Sequence, residues 1–125
     1  MAFANYNAGK SLFPSGSQVA GTTYTADQHN TVCRGIAVVT SVTVDGGTGT
    51  LTVTVQGKDI ASGSYYDILA TTAVNIAAGL KRIAIYPGLA VSANASANDI
   101  LPETWRLKFV VANSVTATVG ASLEV

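Results

Sequence analysis

Residues 34–56 read RGIAVVTSVTVDGGTGTLTVTVQ, and their period decides the fold class. In the first half, Ile36, Val38, Thr40, Val42 and Val44 share one side, and Ala37, Val39, Ser41 and Thr43 the other. In the second half, Leu51, Val53 and Val55 alternate with Thr50, Thr52 and Thr54. Side chains that repeat every second residue belong to a strand, and β-branched residues fit its pleat. Between the two runs stands Asp-Gly-Gly-Thr-Gly, residues 45–49. Glycine tolerates positive φ and aspartate bonds its own backbone, so this segment reads as a hairpin turn.

The same period continues C-terminally. Residues 58–64 lose alternation and read as a polar loop. Residues 65–69 return as a strand, with Tyr66 and Ile68 on one face and Tyr65 and Asp67 on the other. In residues 71–88, Ala73, Ile76, Ala77 and Leu80 suit one helix face. Crowded β-branched residues, Gly79 and Pro87 count against a helix and favour a strand, an Ala-Ala-Gly turn and a strand over 80–86. Residues 89–103 are small and polar and read as a long surface connection. Two strands close the chain. Trp105, Leu107, Phe109 and Val111 form the apolar face of the first, opposite Arg106 and Lys108. Val115, Ala117, Val119, Ala121, Leu123 and Val125 form one face of the second.

N-terminal to this pattern, residues 1–30 alternate poorly and are rich in Gly, Ser, Asn and Thr. Phe3, Tyr6, Phe13 and Tyr24 are nevertheless spaced through them. A free linker rarely carries so many aromatics. The segment reads as an extended arm that docks on its own domain or on a neighbouring subunit. The expectation is an all-β chain: a single-domain β-sandwich over 31–125, jelly-roll or immunoglobulin-like, with an N-terminal arm over 1–30.

Composition narrows the function. The chain has 125 residues, 48% hydrophobic and 11% charged, with zero formal net charge. A charge-poor surface tends to associate, which suits an assembly component. Basic residues are scattered, so the clusters that displace counterions from nucleic acid are not evident. No apolar stretch approaches the length of a membrane helix, and the opening residues lack a signal-peptide pattern. One cysteine, Cys33, excludes an internal disulfide and reads as a small buried hydrophobe.

Chemistry finds little to build on. His29 is the lone histidine, and a triad needs a nucleophile and an orienting acid converging on it. One His and one Cys do not make a zinc site, and the seven acids lack calcium-loop spacing. Asp-Gly-Gly-Thr-Gly lacks the Lys-Ser/Thr of a phosphate loop. No cofactor, no metal and no catalysis are expected. Tyr65, Tyr66 and Trp105 invite an aromatic platform for sugars, but Trp105 falls on the apolar face of its strand and reads as core. One of the adjacent pair Tyr65 and Tyr66 faces outward and suits a protein contact as well as a sugar.

The run TLTVTVQGKDIASGSYYDILA, the IYPG turn, ANDILPETWRLKF and the closing VGASLEV resemble small virion proteins of tailed bacteriophages, a class that includes head decoration, or cement, proteins. The resemblance covers roughly residues 34–125 and leaves out the arm. It implies a β-sandwich or β-barrel module that binds the major capsid protein on the outside of the head, often as a homotrimer, and braces the shell. Phe3, Tyr6, Phe13, Tyr65 and Tyr66 are the contact residues expected from position and exposure. A tail, neck or fibre-associated sandwich, and a carbohydrate-binding or adhesion module, are the alternatives.

Overall fold

The computed structural model describes residues 11–125. The chain is all-β, and one strand organises it. Strand β8 (Thr104–Glu124) is 21 residues long, several times the usual strand. Its first half pairs with β1 (Gln18–Tyr24), β2 (Gln28–His29) and β4 (Thr50–Lys58). Its second half pairs with β3 (Gly35–Val44). The two expected closing strands are therefore one. Asn113, between them, adopts φ 64°, so the strand bends there without ending. Asparagine is among the few residues that enter this region at small cost.

The alternation around residues 45–49 is confirmed, but the hairpin is not. β3 and β4 both run antiparallel to β8, so they run in the same direction and follow each other along it. The turn between them carries the chain from one half of β8 to the other. The outer elements repeat this plan. β5 (Tyr65–Ala70) pairs antiparallel with β4, and β6 (Leu80–Ile85) antiparallel with β3. The strand expected before the Ala-Ala-Gly turn shrinks to one bridge, Val74 to Leu51, followed by a 3-10 turn, Ile76–Ala78. β7 (Ser96–Ala97), inside the long connection, lies parallel to β6. The β4–β5 connection is a true hairpin, closing at Lys58 opposite Tyr65.

The sheet order is thus β5-β4-β8 in one half and β7-β6-β3-β8 in the other, a long sheet creased across its middle. The crease crosses Asn113, residues 45–49 and residues 71–79, and hydrogen bonds stitch these together. Asn113 Nδ2 donates to the Thr48 carbonyl at 3.1 Å. The Asp45 carboxylate accepts from the Gly47 amide at 2.8 Å and the Ile76 amide at 3.1 Å. These amides hold the Asp45 carboxyl below its ordinary pKa, Gly47 contributing most. Gly49 passes so close to β8 that a Cβ there would lie 2.0 Å from the Ser114 carbonyl oxygen.

Creasing lets one set of alternating side chains from both halves meet. Trp105, Leu107, Phe109, Val111, Val115, Ala117, Val119 and Ala121, all odd-numbered on β8, enter a single core with Ile36, Val38, Leu51, Val53, Val55, Ile83 and Ile85. Each large side chain buried here contributes on the order of 1.5–3 kcal/mol.

The arm expected over residues 1–30 is, in its described part, integral to this sheet. The Leu12 amide donates to the Val119 carbonyl at 2.8 Å, and β1 continues along β8. Phe13 is 2% exposed and meets Phe109 edge-on, with ring centroids 5.0 Å apart. Asn30, also buried, donates to the carbonyls of Cys33 and Leu101 and accepts from the Cys33 amide. It ties the end of this segment to the connection before β8.

Candidate functional site

The outward face of the first half of the sheet holds the most organised group of polar side chains among the described residues. Register puts it there. Gln56 lies opposite Arg106 on one side and opposite Asp67 on the other, and Lys58 opposite Tyr65. Arg106 and Gln56 alternate with the buried Trp105, Leu107 and Val55, and cross-strand pairing brings Asp67, Lys58 and Tyr65 to the same face. Tyr24, near the end of β1, pairs with Lys108 and reaches the same row.

At the centre is Arg106. Its guanidinium carbon lies 3.4 Å from the Tyr65 ring centroid and 3.8 Å from that of Tyr24. Its Nε donates to Gln56 Oε1 at 2.8 Å. Gln56 is itself buried, and its Nε2 donates to Asp67 Oδ1 at 2.8 Å. The Tyr65 hydroxyl donates to Asp27 Oδ1 at 2.7 Å, and Lys58 Nζ pairs with Asp27 Oδ2 at 3.1 Å. Lys58 also lies 5.4 Å from the Tyr65 centroid.

Charge is therefore shared unequally. Tyr65's hydroxyl first, and Lys58's ammonium second, hold the Asp27 carboxyl below its ordinary pKa. The hydrogen bond from Lys58 to Asp27 raises the lysine above its ordinary value. Lys58–Asp27 is the one salt bridge among the described residues, and Arg106 takes no part in it. At the hairpin tip, the Ser62 hydroxyl and then the Ala61 amide lower the Asp59 pKa. That carboxylate organises the turn.

The residues expected to make contacts are distributed differently. Phe3 and Tyr6 lie outside the described residues. Phe13 belongs to the core and offers no surface. Tyr65 is half-buried, with its ring on Arg106 and its hydroxyl on Asp27. Tyr66 is exposed, and its ring lies over Gly57 beside Pro102, where a glycine Cβ would meet it at 2.5 Å. The two tyrosines thus face apart, as their adjacency implied, and do not form one platform. Trp105 is 1% exposed and is core.

Exposed apolar side chains include one group at the crease and others at the strand ends away from it. Near the crease, Val44 is 57%, Ile76 51% and Leu80 74% exposed, with Asp45 tied inward between Val44 and Ile76. Away from it stand Val32, Ile60, Tyr66, Ile100 and Val125. The outer face of the second half carries a shallow groove of about 410 Å³ lined by Ala37, Val39, Arg82, Gly120, Ala121, Ser122 and Glu124.

No group of three or more His, Cys, Asp or Glu suited to a metal ion occurs among the described residues. Cys33 is buried. Among the described residues, no helix is long and apolar enough to cross a membrane. No protein-family model matches the chain, and neither does any curated protein or solved structure.

Sequence reasoning did not find the Arg106 group. Its one signal was the alternation that sets Arg106 opposite Trp105. The register that brings Tyr24, Gln56 and Tyr65 beside it is not written in any single strand.

Proposed function

We propose that the chain is a structural virion protein, a decoration protein that binds the major capsid protein on the outside of a phage head as a homotrimer and braces the shell. It acts by adhesion and not by catalysis. What supports this most is the surface: large apolar side chains stand exposed at the crease and at the strand ends away from it, in a chain that is only 11% charged. Exposed apolar side chains on a charge-poor surface favour association with a partner. The resemblance of residues 34–125 to phage virion proteins points the same way. A trimer that bridges several capsid subunits adds weak contacts as avidity, so no single foot has to bind tightly.

The test is the copy number of this chain per purified particle of the phage that encodes it, measured by mass spectrometry against the major capsid protein. Many copies, in fixed ratio to the capsid lattice, are expected. A handful would move the protein to the tail or neck, and none would overturn the proposal.

A further inference from the structure

We propose that Arg106 is a preformed receptor for a carboxylate, supplied by an Asp or Glu side chain of a protein partner. An exposed arginine is normally a mobile chain that must be ordered when it binds. Here the ordering is already done. The Tyr24 and Tyr65 rings both pack against the guanidinium, with centroids 3.8 and 3.4 Å from its carbon. Gln56, buried and oriented by Asp67, holds its Nε at 2.8 Å. The ring planes and this bond leave the guanidinium edge formed by its two Nη atoms pointing away from the anchor. Neither Nη has a hydrogen-bond or ion-pair partner among the described residues.

The neighbouring acid does not satisfy it. Asp27 is near enough for Arg106 to help lower its pKa, yet both of its oxygens are engaged, one by Tyr65 and one by Lys58. Arg106 is thus a fixed, charged fork that makes no direct ion pair among the described residues. Bidentate carboxylate recognition uses that geometry. With its conformational entropy already spent, such a group binds better than a free one. A planar carboxylate matches the in-plane spacing of the two Nη donors. A phosphate is less suited, because it brings a second negative charge beside Asp27 and Asp67 while Lys58 is already neutralised. Arginine flanked by tyrosine is also the composition of interface hot spots.

The protein source of the carboxylate follows from the adhesive function proposed above; the fork itself does not. NMR of the 15N-labelled chain tests it without any virus particle. Sodium acetate replaces sodium chloride at constant ionic strength, and the Nε–H resonances of Arg106 and Arg82 are followed. Arg82 serves as the internal control, since no ring flanks it among the described residues. Arg106 is expected to shift saturably, with half-saturation several-fold lower than Arg82, and R106K should abolish the saturable response of the neighbouring Gln56 side-chain amide. Equal responses of Arg106 and Arg82 overturn the proposal, whatever the copy number on the particle. Tighter binding of phosphate than of acetate overturns the carboxylate assignment. If R106K does not fold, the wild-type comparison alone decides.

Discussion

Replacing Gly49 by alanine tests the crease directly. The new Cβ would lie 2.0 Å from the Ser114 carbonyl oxygen, 2.7 Å from that of Asp45 and 2.9 Å from Val115 Cγ1. Ordinary contact begins near 3.4 Å. The two nearest atoms are backbone and cannot swing aside, so the 45–49 turn must lift from β8. Lifting strains the bond from the Gly49 amide to the Asp45 carbonyl (2.7 Å) and the one from Asn113 Nδ2 to the Thr48 carbonyl (3.1 Å). Overpacking costs about 1–3 kcal/mol. Two weakened hydrogen bonds add about 1 kcal/mol each. A total of about 3–5 kcal/mol lowers the melting temperature of a chain this long by about 10–20 °C. Gly46→Ala is the control. Nothing lies within 4 Å of its Cβ, but φ is 61°, so it should cost only about 1–2 kcal/mol of backbone strain. Thermal and urea unfolding followed by circular dichroism measure both variants. If Gly49→Ala melts within about 2 °C of the wild type, the close packing of turn against strand is not what holds the two halves together.

Phe13→Ala removes a ring buried at the junction of the halves and should cost about 3–5 kcal/mol in urea unfolding; an unchanged midpoint would return Phe13 to the surface. Asn113→Ala places a Cβ-bearing residue without a capping amide at φ 64° and should cost about 1–2 kcal/mol, more than Asn113→Gly, and the reverse order in thermal melts would refute the role of the bend. Because the folded Asp27 pKa is lowered, its contribution to stability is complete above the ordinary carboxylate value of about 3.9 and is lost as pH falls through the folded value. Asp27→Asn should therefore flatten the acid limb of a stability–pH curve, and an unchanged limb would show that the Tyr65 and Lys58 contacts do not persist in solution. The Lys58 pKa is raised, so its contribution holds below about 10.4 and fades as pH rises through the folded value. Lys58→Met should remove that alkaline fall.

The strands were legible because their signal is local. Leu51, Val53 and Val55 alternate with threonines, and the structure buries all three. Trp105 was placed in the core on the same evidence. Connectivity was less legible. Asp-Gly-Gly-Thr-Gly has the composition of a hairpin turn, and its glycines do adopt positive φ at positions 46 and 47. Whether the chain then reverses or passes onward depends on what lies beside it, here β8, some 60 residues later in the sequence. Asn113 looked like a strand break for the same reason, since the pairing on both flanks that carries β8 through it is contributed by distant strands. In the N-terminal segment the aromatic spacing was informative and the alternation was not. Phe13 reaches the core from irregular backbone, where no period could signal burial. The Arg106 group was invisible for the remaining reason: its members come from β1, β4, β5 and β8, and only cross-strand register brings them together.

The place of β8 in the chain has a consequence for biogenesis. β1, β2, β3 and β4 all need it as a pairing partner, and it is synthesised after every one of them. A nascent chain that has not yet extruded residues 104–124 carries several strands with open edges and half of a core. Such intermediates are prone to aggregate. The domain must then collapse after its last strand emerges, in one step dominated by long-range pairings and correspondingly slow. A premature stop before residue 104 would leave no smaller domain behind, only unpaired strands for the quality-control machinery.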